Sequence, residues 1–186
     1  MLRDTGRVDP KEIVERLNEF TEPAKEGDKF GKSWDTHWFK IKVEIPDEWL
    51  SDEKEVHLLW NGKCEAALYN LDGSRLLQAF TENVRERYII KRDGIKNDLL
   101  DPKVNIGGNN KEITYLLEMA CNEMFGNFQK GFNSEVDMEK EFILEKCKIG
   151  FFNRIAWDLY FNFEILKDGA ANFDKKDHHR AHDCLF

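Results

Sequence analysis

Apolar and polar residues alternate along the stretch that follows Phe30, and this alternation is the clearest structural signal in the chain. Apolar side chains occupy every second position from Phe39 to Ile45, with lysine and glutamate between them. A period of two is typical of an antiparallel strand with one buried face. Pro46 lacks a backbone N–H donor, so the strand is predicted to end there. We expect the rest of the fold to be arranged around this strand.

Further short strands are predicted over residues 56–60, 64–69, 76–80, 88–90, 113–119 and 142–149. Asn61 and Gly62 predict a two-residue hairpin, and the stretch from Asn70 to Gly73 predicts a second turn. Residues 97–110 are rich in glycine, asparagine and aspartate, which predicts a surface loop. About eight strands with helices only at the ends predict a mainly β protein, an antiparallel β-sandwich of the jelly-roll, galactose-binding-like type.

A short amphipathic helix is predicted ahead of the sandwich. Asp9 supplies an N-cap acceptor and Pro10 suits the first helical position, so the helix is expected to run to about Thr21. Such a helix either covers the chain's own core or docks on another subunit, and the sequence leaves both alternatives open.

A longer helix is predicted after the sandwich, because apolar residues recur at three- and four-residue spacing from Phe152 to Leu166. Asn153 is the expected start and Gly169 the expected stop. Burying one large apolar side chain is worth about 1.5–3 kcal/mol, so this face is expected to lie against a partner surface. The final residues, 175–186, begin another helical pattern without a cap, which suggests a chain cut short in mid-helix.

The expected organisation is a helix and tether over residues 1–29, a sandwich over 30–150 and a helical extension over 151–186. A chain of 186 residues, 41% of them hydrophobic, is long enough to bury one core. The net charge of −8 argues against nucleic acid and anionic membranes as partners. The cysteines are too far apart for a CxxC pair and are predicted to be reduced and mostly buried: Cys64, Cys121, Cys147 and Cys184. No apolar leader segment occurs, which favours the cytoplasm.

The densest group of metal-ligating residue types lies near the end of the chain. His178 and His182 have the spacing of two zinc ligands on one helical face, but the zincin pattern requires glutamate where His179 stands. We therefore interpret this group as a polar helix face and predict no metal site. Carboxylate pairs such as Glu139 with Glu141, or Asp47 with Glu48, have residue types suited to glycoside hydrolysis, but we interpret them as surface charge.

Three residues are candidates for contact with a ligand. Trp34 lies in a polar lead-in beside His37, so it is the tryptophan most suited to stack on a sugar ring in solvent. Asn122 follows the strand over 113–119, in a loop placed to form the rim of a site. The alternatives are core packing for the aromatic residues and an ordinary strand-ending turn for Asn122. No catalytic residue is assigned.

Three segments resemble the N-terminal region of the cytosolic or vacuolar type of α-mannosidase, in glycoside hydrolase family 38. They are FGKSWDTHWFKIKVEIPDEW, EVHLLWNGKCEAALYNLDGSRLLQAFTENVRERYII and ITYLLEMACNEMFGN, and the resemblance continues through FFNRIAWDLYFNFEIL. The family implies a large retaining enzyme that removes terminal α-mannose from oligosaccharides, with a metal-dependent catalytic domain after an N-terminal sandwich. The family's His-x-His-x-Asp motif does not occur here, so no zinc ligand or nucleophile transfers to this sequence.

The resemblance implies a non-catalytic domain that packs on its own catalytic domain and assists assembly of a homo-oligomer. This piece is then expected to be inactive alone and to hold no cofactor, whereas the full-length enzyme is expected to use zinc or another divalent metal. A vacuolar or lysosome-like compartment is the alternative to the cytoplasm. The alternative function is a stand-alone carbohydrate-binding, lectin-like module for mannose oligosaccharides.

Overall fold

The predicted organising strand is present and extends further toward the N-terminus than the sequence indicated. The computed structural model describes residues 1–51, 53–94, 96–130 and 134–172. Strand β2 runs over Thr36–Glu44 and pairs antiparallel along its whole length with β8, Glu112–Ala120. Its residues Phe39, Ile41 and Val43 are buried on one face, as the period of two predicts.

The strands form two four-stranded sheets. The first has the order β2-β8-β4-β5 and adds β4, Glu65–Asn70, and β5, Leu76–Phe80. The second has the order β10-β3-β6-β7, with β3 at Glu55–Asn61, β6 at Arg87–Arg92, β7 at Lys96–Asn97 and β10 at Lys146–Phe152. A separate short pair joins β1, Lys29–Phe30, to β9, Phe142–Ile143. The single strand predicted over 142–149 is therefore two strands in two different sheets.

One apolar core lies between the two large sheets. Phe39 of the first sheet meets Trp60 of the second edge to face, with ring centroids 5.1 Å apart. Tyr115 and Tyr88 make a similar contact at 5.8 Å. These aromatic pairs join the inner faces of a sandwich, which is the architecture that the alternating pattern predicted.

The hairpin predicted at Asn61 and Gly62 is wrong, because β3 and β4 belong to different sheets. The Asn61 side chain accepts a hydrogen bond from the Lys63 N–H at 2.8 Å, and Lys63 has a φ of 59°. A Cβ at Gly62 would lie 3.2 Å from the side chain of Met119, so the corner passes close to the core. This bend carries the chain from one sheet to the other.

The predicted turn between Asn70 and Gly73 is confirmed, since β4 and β5 form an antiparallel hairpin around it. Gly73 has a φ of +68°, and a Cβ there would lie 2.8 Å from the backbone of Pro10. This turn therefore also receives the start of the N-terminal helix.

The loop over residues 97–110 is more than a surface excursion. Leu99 and Val104 are buried in the main core. Asp98 follows β7 directly, and its buried carboxylate accepts hydrogen bonds from the hydroxyls of Tyr88 and Tyr115, at 2.7 and 2.8 Å. The loop thus closes one end of the core and ties the two sheets together.

The N-terminal segment covers the outer face of the first sheet. Helix α1 runs over Pro10–Glu15, and a short 3-10 helix follows at Leu17–Glu19. Asp9 caps α1 by accepting a hydrogen bond from the Lys11 N–H at 2.9 Å. Ile13 is fully buried in a second cluster with Trp38 and Leu116. Of the two alternatives left open by the sequence, the structure therefore has the helix on the chain's own sheet.

The chain divides into two units, Met1–Phe151 and Phe152–Phe186. In the second unit, helix α2 runs over Arg154–Asn172 and has no buried residue. Asn153 caps it as predicted, accepting from the Ala156 N–H at 3.0 Å. The predicted stop at Gly169 is wrong, because the helix continues through it. The helical pattern over 175–186, with His178 and His182, lies outside the described residues.

Candidate functional site

The end of β8 and the start of β2 form the region in which the sequence predicted ligand contacts. The Trp34 N–H donates to the carbonyl of Cys121 at 3.0 Å, and the Cys121 N–H donates to the carbonyl of Asp35 at 2.9 Å. Trp34 has a φ of 73°, and its side chain is 52% exposed. The backbone of the lead-in is therefore fixed to β8, while the indole faces solvent.

His37 lies in the interior at only 1% exposure. Its Nδ1 accepts a hydrogen bond from the Asp4 N–H at 3.1 Å, and its ring meets Phe30 edge to face at 5.3 Å. The outward-facing polar lead-in therefore does not include His37, because the N-terminal segment covers it.

Asn122 is half-buried beside the first residue of β4. Its Nδ2 donates to the Glu65 carboxylate at 3.1 Å, and its carbonyl accepts from the Glu65 N–H at 2.9 Å. Its side-chain oxygen is buried without a hydrogen-bond partner among the described residues. Of the three predicted contact residues, Trp34 alone presents a largely exposed side chain, and ligand binding by the set stays a prediction.

Asn127 is the residue in this region that sequence analysis missed. It is fully buried, donates to Ser33 Oγ at 2.9 Å and to the Cys121 carbonyl at 2.8 Å, and accepts from the Glu123 N–H at 2.9 Å. It therefore links the lead-in to the loop after β8. A single asparagine after glycine reads as an ordinary turn residue, so the sequence carries no signal for this role.

A cavity of about 340 Å³ adjoins the loop after β8. Its wall combines exposed apolar side chains with ion-paired polar ones: Lys63, Cys64, Thr81, Glu82, Val84, Glu123, Met124 and Phe125. Lys63 pairs with Glu82 at 2.8 Å and with Glu145 at 3.0 Å, and hydrogen bonds to these carboxylates raise its pKa. The lysine charge is thus already compensated, and the cavity offers mainly apolar contact.

Three of the four carboxylates considered for glycoside hydrolysis lie in separate surface ion pairs. Glu139 pairs with Lys32 at 2.6 Å, and Glu141 pairs with Lys29 at 2.7 Å. Asp47 pairs with Lys111. Each carboxylate is at least half exposed, which agrees with their interpretation as surface charge.

A metal site is not formed by the described part of the chain. No group of three or more His, Cys, Asp or Glu side chains there has a geometry suited to a metal ion. The residues of this structure therefore do not fit the divalent metal that the resemblance implies for a full-length enzyme. Over the same residues, no helix is both long and apolar enough to span a membrane.

Known proteins match this chain over most of the first unit. A family model described as the jelly-roll domain of α-mannosidase matches residues 3–150. Alpha-mannosidase G of Dictyostelium discoideum is 31% identical over 156 residues, which is 82% of this chain and 13% of that protein. Alpha-mannosidase 2C1 of Homo sapiens is 30% identical over 165 residues, 88% of this chain and 14% of that protein.

A yeast relative extends the match. The alpha-mannosidase of Saccharomyces cerevisiae is 28% identical over 177 residues, 92% of this chain and 15% of that protein. The chain therefore spans about one seventh of the length of these relatives. Together with the two stacked sheets, the family match confirms the predicted jelly-roll sandwich.

Proposed function

Because this chain belongs to the family of α-mannosidase jelly-roll domains, we propose that it is the N-terminal, non-catalytic part of an α-mannosidase acting on terminal α-mannose of oligosaccharides. In this proposal residues 30–150 form the packing domain, residues 1–29 cover it, and residues 151–186 begin the connection to a catalytic domain. The proposal also includes a homo-oligomer, a divalent metal held by the catalytic domain, and a location in the cytoplasm or a vacuole-like compartment.

The observation that carries this proposal is the exposed apolar face of α2. Ile155, Leu159 and Phe163 are 83%, 69% and 58% exposed, and Leu166 extends the same face at 46%. Successive positions three or four residues apart lie on one side of a helix. Each such side chain gains about 1.5–3 kcal/mol on burial, so the face supports a partner surface of apolar character.

A non-catalytic role is also supported by the first unit. Three carboxylates suited by type to glycoside chemistry pair with separate lysines on the surface: Glu139, Glu141 and Asp47. Retaining glycosidases need two carboxyl groups about 5–5.5 Å apart across a sugar, each free to reach it. The pairing of Glu139 and Glu141 with two different lysines supports this part of the proposal.

The test uses the full-length enzyme from the source organism. The double variant Leu159→Ser and Phe163→Ser removes two side chains from the apolar face, and Glu164→Ser on the opposite face of α2 is the matched control. We expect the double variant to lose mannosidase activity or oligomer mass by size-exclusion light scattering, with the control unchanged. Equal behaviour of the two proteins would contradict packing through this face.

The non-catalytic part of the proposal has its own test. The purified 186-residue chain is expected to release no product from a chromogenic α-mannoside, with or without added zinc. Turnover that rises in proportion to the amount of this chain, and disappears in an inactivated preparation, would show that the domain hydrolyses glycosides itself.

The exposure of Trp34 favours one second candidate, a lectin-like module for mannose oligosaccharides. Calorimetry of the chain against such oligosaccharides tests it, with Trp34→Ala as the variant. Phe125→Ala is the control, since Phe125 is an exposed aromatic residue at 67%. Heat of binding that is lost in Trp34→Ala but kept in Phe125→Ala would support the lectin-like function. Absence of heat with the unmodified chain would reject it.

A further inference from the structure

Two cysteines that are far apart in sequence face each other across the first sheet. Glu65 pairs with Ala120 at the end of the antiparallel ladder of β4 and β8, and Cys64 and Cys121 are the residues directly beyond this pair on the two chain segments. Both are buried, at 3% and 0% exposure, and each thiol shifts the pKa of the other. Opposed residues of an antiparallel pair have Cα atoms about 4.5–5.5 Å apart, which is within the range that a disulfide spans.

His37 is the third member of this cluster. Its Nδ1 accepts from the Asp4 N–H, so the ring hydrogen lies on Nε2. That nitrogen is buried without a hydrogen-bond partner among the described residues, and the imidazole is one of the groups that lower the pKa of the Cys121 thiol. The neighbouring Cys64 thiol, with a smaller contribution from His37, lowers the pKa of the Cys121 thiol below its usual value against the opposing effect of burial.

Cys64 borders a space that a small molecule can enter. Cys64 forms part of the wall of the cavity of about 340 Å³ beside Met124 and Phe125. A water molecule occupies roughly 30 Å³ in the liquid, so a hydroperoxide of two oxygen atoms fits within this space. Cys147 offers an internal comparison, because it also borders cavities but burial raises the pKa of its thiol to about 11.

We propose that Cys64 and Cys121 are a reversible redox pair, which a small hydroperoxide oxidises to an intrachain disulfide between β4 and β8. With one thiol of the pair ionised, the two sulfurs share the remaining proton. When this proton lies on Cys121, the Cys64 sulfur is the thiolate and attacks hydrogen peroxide. The O–O bond breaks, Cys64 becomes a sulfenic acid, and the leaving hydroxide takes the Cys121 proton to form water. The Cys121 thiolate then attacks the Cys64 sulfur, the S–O bond breaks, and the hydroxide that leaves takes a proton from solvent to form a second water.

The two sulfurs lose two electrons in this sequence and the peroxide gains them. A thiol reductant reverses the reaction by exchange through a mixed disulfide. The alternative is that both thiols serve only as small apolar side chains of the core.

The experiment uses the full chain with Cys147→Ser and Cys184→Ser, so that only the pair remains. The protein is treated with hydrogen peroxide, unfolded in denaturant with an alkylating agent, and weighed intact by mass spectrometry. We expect the oxidised protein to carry neither alkyl group and to weigh two hydrogen atoms less than the reduced, unalkylated chain. Treatment with dithiothreitol before alkylation is expected to restore both alkyl groups. Two thiols that stay alkylatable would overturn the proposal.

The rate gives the second criterion. In the unmodified chain the pair is expected to oxidise about tenfold faster than Cys147, since thiolate character governs the reaction. Equal rates would mean that the pair has no special reactivity and would overturn the proposal. His37→Asn retains an acceptor for the Asp4 N–H, and with unchanged circular dichroism it is expected to slow oxidation most below neutral pH. An unchanged pH profile would remove His37 from the mechanism.

Discussion

The buried carboxylate of Asp98 is expected to be the polar group on which the stability of the sandwich depends most. It is 1% exposed and accepts from two tyrosine hydroxyls, Tyr88 of the second sheet and Tyr115 of the first. The Lys96 ammonium lies 3.8 Å away and over the ring of Tyr88. Removing the carboxylate in Asp98→Ala leaves two hydroxyls without their acceptor and a half-buried ammonium without its counter-ion.

The magnitude follows from these contacts. A hydrogen bond to a charged group contributes about 1.5–3 kcal/mol, and the burial of Asp98 offsets part of the two bonds. We therefore expect Asp98→Ala to lower the free energy of unfolding by about 2–4 kcal/mol. Asp98→Asn keeps an acceptor oxygen and is expected to lose about 1 kcal/mol at neutral pH.

Equilibrium unfolding in urea, followed by tryptophan fluorescence, measures this difference. Asp93→Ala is the control, because Asp93 is an exposed acid in the neighbouring turn and its loss is expected to change stability by less than about 0.5 kcal/mol. If Asp98→Ala changed the free energy of unfolding by no more than this control, the reasoning would be refuted.

The pH dependence gives an independent reading of the same group. Burial raises the pKa of Asp98 above its usual value of 3.8. Relative to the unfolded chain, the folded state therefore favours the neutral acid. This contribution to the free energy of unfolding is fully present below pH 3.8 and is lost as pH rises through the raised pKa. Compared with Asp98→Asn, the unmodified protein is expected to be relatively more stable at about pH 4 than at about pH 7. The opposite order would show that Tyr88 and Tyr115 favour the charged form more than burial opposes it.

Two further variants test the cover of the first sheet. Gly73→Ala is expected to destabilise the protein by more than about 1 kcal/mol, since it adds a Cβ at positive φ, 2.8 Å from the Pro10 backbone. Gly94→Ala is the control with positive φ and open space, and an equal loss there would argue against the contact with Pro10. Ile13→Ala is expected to cost about 2–4 kcal/mol in urea unfolding and to shift the fluorescence of Trp38 to the red. Unchanged stability would contradict packing of α1 on this sheet.

Local chemistry was sufficient for several elements. The alternation from Phe39 to Ile45 determines which face of β2 is buried, because successive side chains of any strand point to opposite sides. The cap at Asp9 and the cap at Asn153 depend on residues two or three positions away, so the sequence identified both helix starts. The three segments that carry the α-mannosidase resemblance agree with the family match over residues 3–150.

The candidate site was only partly accessible to sequence reasoning. Trp34 was identified as exposed from its polar neighbours, whereas His37 was placed beside it although residues before α1 cover it. Asn127 was missed because its partners Ser33 and Cys121 come from distant parts of the chain.

The sequence by itself determined the strand periodicity, the helix starts, the charge balance and the family. The tertiary structure decided that β3 and β4 belong to different sheets, that Asp98 joins Tyr88 to Tyr115, and that Cys64 faces Cys121. The physical reason is the range of each interaction. Backbone geometry repeats every two or four residues and is visible in any short window, but the partner of a strand or a buried polar group is selected by packing among residues that are tens of positions apart.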